Sequence, residues 1–199
     1  MTWIKEDKLY PIIALLLILI IAVRTPLDTD MWWHLRAGEE TLQNREVYSV
    51  DTFSFTREGS DWINHSWLSQ VVMILAFPGA GYYGLSIWVG VCAAITMLFV
   101  YLQMKGHPLL RSAVLLFAAV VSSVVWSPRP QIHSLVLFSL ICYLIFKYKQ
   151  NKDLRYLVFL PPIFTLWGNL HGGYVLGLIL LGSVFAGEIL NKVLFKKFT

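Results

Sequence analysis

Residues 66–78, SWLSQVVMILAFP, decide how this chain is read. The stretch is mostly apolar, is interrupted by Ser69 and Gln70, and runs into Pro78-Gly79-Ala80-Gly81. Thirteen residues fall short of the ~20 that a helix needs to cross a bilayer, and they suit a helix lying in the interface. Longer apolar runs surround it at 11–23, 82–104, 109–127, 131–146, 154–168 and 173–190. The first could be a signal-peptide core behind Lys5 and Lys8. No small-x-small cleavage pattern follows it, since Arg24-Thr25-Pro26-Leu27-Asp28 comes next, so it reads as an uncleaved first span.

Charge decides whether 66–78 crosses. If it does not, six spans start from a cytoplasmic N-terminus. Lys5, Lys8, Lys105, Arg111, Lys147, Lys149, Lys152, Arg155, Lys192, Lys196 and Lys197 then all face the cytoplasm, which is 11 of the 16 basic residues. This is the positive-inside pattern. If it crosses, the 147–155 cluster and the 192–197 tail move outside and break the rule twice. The expectation is an all-α polytopic protein of the cytoplasmic membrane, with about six transmembrane helices and both termini inside. It forms a single transmembrane module, 1–199. An extracytoplasmic loop, 25–81, carries two juxtamembrane helices at 31–43 and 66–78.

Composition agrees. Of 199 residues, 57% are hydrophobic and 14% charged, against about 25% charged in a soluble domain. Mean hydropathy is +0.62. A disordered chain, a disulfide scaffold and a nucleic-acid-binding module are excluded. Cys92 and Cys142 lie in apolar runs and are expected to be unpaired. The net charge of +4 is a feature of the cytoplasmic side, suited to anionic lipid, because loop 25–81 holds eight carboxylates against three arginines.

Chemistry-bearing residues gather on the outer side. Asp28-Thr29-Asp30 follows the first span, and two carboxylates two residues apart can converge on one hard cation such as Mg or Mn. Asp30 is equally placed to N-cap the 31–43 helix. His34 lies one turn on, within reach of Asp30 or of a phosphate. Trp32, Trp33, Trp62 and Trp67 read as interfacial anchors. Asn64 and His65 can hold a substrate group, and Asn64 or Ser66 can cap the second helix. In the turn Ser127-Pro128-Arg129-Pro130-Gln131, two prolines fix where the Arg129 guanidinium points. Gln131 and His133 sit on the next first turn, where free N–H groups favour an anion. Trp167-Gly168-Asn169-Leu170-His171-Gly172-Gly173 adds Asn169 and His171, and Gly173-x-x-x-Gly177 is a helix-packing signature. Glu188 reads as a helix pair with Lys192. These groups together suit an anionic, lipid-linked ligand.

The pattern DxDxWWHL…WINHxWL…RPQ…NLHGG resembles the GT-C class of polytopic glycosyltransferases, which includes oligosaccharyltransferases and protein O-mannosyltransferases. The likeness spans nearly the whole chain in topology. It implies a polyprenyl-phosphate-linked sugar donor used at the outer face. Asp30 and Asp28 would be the catalytic or metal-binding acids, and Arg129, His133, Gln131 and His34 would meet the donor phosphate. Asn64, His65, Asn169 and His171 would orient substrate. Two departures stand out. The second outer motif offers Arg129, Gln131 and His133 where many members have a carboxylate, and the chain looks like the family's conserved module alone, without its variable spans. An alternative is a non-catalytic membrane subunit that keeps the scaffold for assembly or lipid binding with other subunits. A small transporter component is the third reading, opposed by the near absence of mid-membrane charge.

Overall fold

The computed structural model describes residues 6–24, 28–77 and 79–195. Lys5, Pro78, Lys196 and Lys197, which entered the charge and span assignments, lie outside the described residues. In chain order the helices are α1 (Glu6–Ala22), α2 (Met31–Asn44), α3 (Trp67–Ala76), α4 (Gly81–Gln103), α5 (Pro108–Ser122), α6 (Gln131–Asn151), α7 (Arg155–Val158), α8 (Leu160–Leu170) and α9 (Tyr174–Phe195). A 3-10 turn, Ser123–Val125, extends α5. Among the described residues the only β feature in the pairing pattern is an isolated bridge between Val50 and Asp61.

Among the described residues four helices are long and apolar enough to cross a membrane: α4, α5 with its 3-10 extension, α6 and α9. Two of the six expected spans fall short. The apolar part of α1 is Lys8–Ala22. The 154–168 run divides into α7 and α8, because Pro161 and Pro162 cannot donate to a preceding turn and instead open a new helix. α2 and α3 begin and end within one or two residues of the expected 31–43 and 66–78.

Three small cores hold the helices together. Ile18 and Ala22 of α1 pack on Val89, Ala93 and Met97 of α4, with Leu115 and Ala119 of α5, and Trp126 and Ile132 close this core at the 127–130 turn. The fully buried Ile141 of α6 meets Trp167 of α8. Met31 and Leu35 of α2 meet Met73 of α3 and Leu85 of α4. α2 and α3 cross at Gly38, where a Cβ would lie 2.6 Å from the Gln70 carbonyl carbon. Only glycine lets the two backbones come that close.

α3 turns its polar residues inward. Ser69 and Gln70 are fully buried while Leu75 is exposed. α9 is covered along only 6% of its apolar window, and Gly177 seats it on the rings of Trp167 and Phe164. Phe117, Val121, Leu176 and Phe185 likewise face outward, which suits hydrocarbon and would be costly in water. Cys92 and Cys142 are free. One pairing differs from expectation: Glu188 bonds Lys149 at 3.1 Å, not Lys192. α6 and α9 run side by side there, and the last turn of α6 brings its lysine closer than the lysine on α9 itself.

Candidate functional site

The turn before α6 carries the central cation. Pro128 and Pro130 flank Arg129, and the Arg129 N–H donates to the Ser127 carbonyl at 2.8 Å, so the turn is tight. Arg24, at the end of α1, ties the same region down by donating to the Trp126 carbonyl at 3.2 Å. Arg129 then reaches back to the start of α2, with Nε 3.4 Å from Asp28 Oδ2 and Nη2 on Asp30 Oδ2. The Asp30 N–H donates to Asp28 Oδ1 at 3.0 Å, which locks the two carboxylates side by side. Asp30 occupies the N-cap position of α2, yet its side chain makes no capping bond. The guanidinium takes that carboxylate instead, in an ion pair that carries charge on both partners. Ser66 likewise stands at the N-cap of α3 without a side-chain bond; the Asn64 Oδ1 accepts from the Ser66 N–H at 3.3 Å.

Hydrogen-bond accounting fixes two histidine tautomers. The Asn64 amide donates to Gln70 Oε1 at 2.8 Å, and Gln70 Nε2 lies 3.3 Å from His34 Nδ1. An amide nitrogen can only donate, so His34 Nδ1 accepts and the ring carries its proton on Nε2. Burial lowers the His34 pKa to about 4, with the Asp28 charge opposing and His171 and His65 adding to the fall. His171 obeys the same logic. The Gly173 N–H donates to its Nδ1 at 3.1 Å, and the Ser134 hydroxyl, which accepts from the Trp167 indole at 2.7 Å, donates to it at 2.7 Å. His171 is also an Nε2–H donor, and burial followed by the His65 charge lowers its pKa. Both rings are thus neutral donors at neutral pH, placed by partners that a protonated ring would repel.

These groups line one cavity of about 360 Å³. α2 contributes Asp30, Trp33 and His34, the following loop Trp62, Asn64 and His65, the proline turn Arg129 and Gln131, and the turn after α8 contributes His171. Gln131 also bonds Ser127 Oγ at 3.4 Å. Three expected site residues stand off the cavity wall. Asp28 acts through Arg129. His133 points into the α3–α6 contact: the Ser69 hydroxyl donates to the Leu170 carbonyl at 2.6 Å, so its oxygen accepts from His133 Nδ1 at 2.7 Å. Asn169 accepts from the Trp67 indole at 2.9 Å and donates to the Thr165 carbonyl, tying α8 to α3. His133 and Asn169 are therefore packing residues that set helix positions. Trp67 has the same role, and Trp33 and Trp62 are cavity walls; only Trp32, half exposed and edge-on to Tyr82, keeps the look of an anchor.

Sequence reasoning passed over Gln70, Ser69, Ser134 and Arg24. The first two were visible as polar breaks in an apolar helix. Ser134 left no signal, because a serine inside a membrane-length helix ordinarily satisfies itself on its own backbone.

Arg129 stands against both Asp28 and Asp30, so in this arrangement a divalent cation would have to displace the guanidinium to reach their oxygens. Among the described residues no group of three or more His, Cys, Asp or Glu gathers to hold a metal. With Arg129 in place both carboxylates are already paired with a cationic side chain, and the chemistry below is derived from these side chains. No family model, curated protein or solved structure matches the chain, so its function is read from these residues alone.

Proposed function

We propose that this protein is a GT-C-like glycosyltransferase, or the donor-binding module of one, that takes a polyprenyl-phosphate-linked sugar at the outer face of the cytoplasmic membrane. The reading uses six crossings, with α1 and the α7–α8 pair as the two short ones, and keeps both termini and the lysine-rich turns inside. The observation that carries it is Arg129, held between Asp28 and Asp30 at the wall of a cavity that also presents two neutral imidazole N–H groups.

That arrangement suits phosphate departure. An acceptor hydroxyl attacks the anomeric carbon, the bond from that carbon to the phosphate oxygen breaks, and the hydroxyl proton goes to the Asp30 carboxylate. Charge that builds on the leaving polyprenyl phosphate meets Arg129 and the Nε2–H groups of His34 and His171. Arg129 also regulates the base. A phosphate entering the cavity competes for the guanidinium and draws it from Asp30, which frees that carboxylate when a donor is present. His65 and Gln131 orient the sugar, and the apolar outer faces of α5 and α9 adjoin lipid or further subunits.

The test is Asp30→Asn and Arg129→Ala in the full chain. Asp30→Asn is expected to keep binding of decaprenyl phosphate, read by native mass spectrometry, and to lose sugar transfer in membranes. Arg129→Ala is expected to weaken that binding at least tenfold. A second reading, a non-catalytic lipid-binding subunit, draws on the fact that both carboxylates are already paired. It predicts that Asp30→Asn leaves transfer by its complex untouched, and that outcome would overturn catalysis here.

A further inference from the structure

A second cavity, about 350 Å³, opens beside the first and is lined by Trp33, Asp51, Phe53, Ser54 and Trp62. Trp33 and Trp62 belong to both, so the two cavities share a wall. The rings meet edge to face: Trp33 and Trp62 lie 6.1 Å apart at 61°, and Phe53 and Trp62 lie 6.0 Å apart at 84°. Edge contacts of this kind leave ring faces open to a third body, and of the Trp33 faces one is taken by the His34 ring at 3.6 Å. Tyr48 backs both Phe53 and Trp62.

The loop that carries these rings is pinned. Asp51 N–H donates to the Ser60 carbonyl and Gly59 N–H to the Asp51 carbonyl, both at 2.9 Å, and Trp62 N–H donates to the Ser49 carbonyl at 2.8 Å. The Asp51 carboxylate accepts from the Phe53 and Ser54 N–H groups at 2.9 Å and from the Ser54 hydroxyl, which sets the turn that presents Phe53. Those hydrogen bonds, the Ser54 hydroxyl foremost, hold Asp51 below the usual carboxylate range, so it stays a hydrogen-bond acceptor at the cavity edge.

The geometry points to a carbohydrate acceptor subsite: a neutral sugar ring lies against Trp62, Trp33 and Phe53, its hydroxyls meet Asp51 and Ser54, and one hydroxyl faces the neighbouring polar cavity and Asp30. A sugar ring has apolar C–H faces that cover aromatic rings and an equatorial rim that needs hydrogen bonds, which matches an aromatic wall with a polar edge. A quaternary ammonium group fits less well, because it wants rings wrapped around it, whereas here the aromatic rings share the lining with the polar Asp51 and Ser54. The identification of the hydroxyl as acceptor rests on the transferase reading above; the sugar site itself does not.

The full chain in phospholipid nanodiscs, free of sugar-headed detergent, is mixed with cellotriose, chitotriose and maltotriose. Saturation-transfer NMR is expected to detect at least one of them. Phe53→Ala, which touches only the aromatic cavity, is expected to weaken that binding at least fivefold and to leave decaprenyl-phosphate binding unchanged. Asp51→Asn, which keeps the turn's acceptor oxygen, gives a second variant should Phe53→Ala misfold, and it too is expected to weaken the sugar. No transfer to any of the three, equal binding by the folded variants, or tetramethylammonium bound in their place would overturn the subsite. Sugar binding without decaprenyl-phosphate binding would leave the subsite standing and sink the transferase.

Discussion

Lowering the pH from 7.5 to 4.5 is expected to destabilise this protein through His34 in particular. The imidazole is 6% exposed, its Nδ1 faces the Gln70 amide, and its pKa falls from 6.5 to about 4. In the unfolded chain the ring takes up a proton near 6.5; in the fold it resists until about 4. A depressed folded value means the stability is fully present above 6.5 and is lost as the pH falls towards 4. At ~1.36 kcal/mol per pH unit the whole gap corresponds to about 3 kcal/mol, most of it gone by pH 4.5. For a chain of this size roughly 2–4 °C of melting temperature follows each kcal/mol, so His34 accounts for a drop of roughly 5–10 °C. The assay is thermal unfolding at the two pH values, for the wild type and for His34→Asn. The asparagine side-chain oxygen can take the place of Nδ1 and accept from Gln70 without titrating. The two chains share every other side chain, so the difference between their losses reads position 34. Equal losses in the two chains would refute the assignment of His34 as a buried neutral ring.

Gln70→Leu keeps the volume but strands the Asn64 amide and His34 Nδ1; each orphaned buried partner costs about 1–3 kcal/mol, measurable as a lower melting temperature with the His34 resonances shifted. Gly38→Ala forces a methyl against the Gln70 carbonyl, and the overpacking is expected to cost about 1–3 kcal/mol in the same unfolding assay, whereas Gly182→Ala, in open space on α9, is expected to stabilise by up to about 1 kcal/mol. Ser134→Ala removes the acceptor of the Trp167 indole and the donor to His171, for a loss of about 1–3 kcal/mol and a red-edge change in tryptophan emission; an unchanged spectrum would show that the indole finds another partner.

Much of the architecture is legible in the residues because it depends on local pattern. An apolar run of membrane length makes a helix wherever its ends are polar, so α4, α5, α6 and α9 follow from 82–104, 109–127, 131–146 and 173–190. Pro128 and Pro130 announce a rigid turn, and Ser69-Gln70 announce that one face of α3 is polar. Reading the site was harder. Asp30 and Arg129 were visible as opposite charges, but their meeting depends on α1 and the proline turn sharing one core while α2 packs on α3 and α4 in another. The partner of Glu188 was misread because i,i+4 spacing carries no information about the neighbouring helix. His133 and Asn169 were assigned by depth along their helices, which says nothing of whether a side chain faces the cavity or a packed contact.

What the residues determine unaided is the inventory: helices of membrane length, shorter apolar helices, a loop that holds carboxylates, one guanidinium fixed between prolines and several imidazoles. Tertiary structure alone decides which of these become neighbours, and therefore which imidazole nitrogen carries the proton and which carboxylate the arginine holds. The physical reason is range. Helix formation is settled by hydrogen bonds four residues apart, whereas a tautomer or an ion pair is settled within about 3 Å by groups that sit as far as a hundred residues away in the chain.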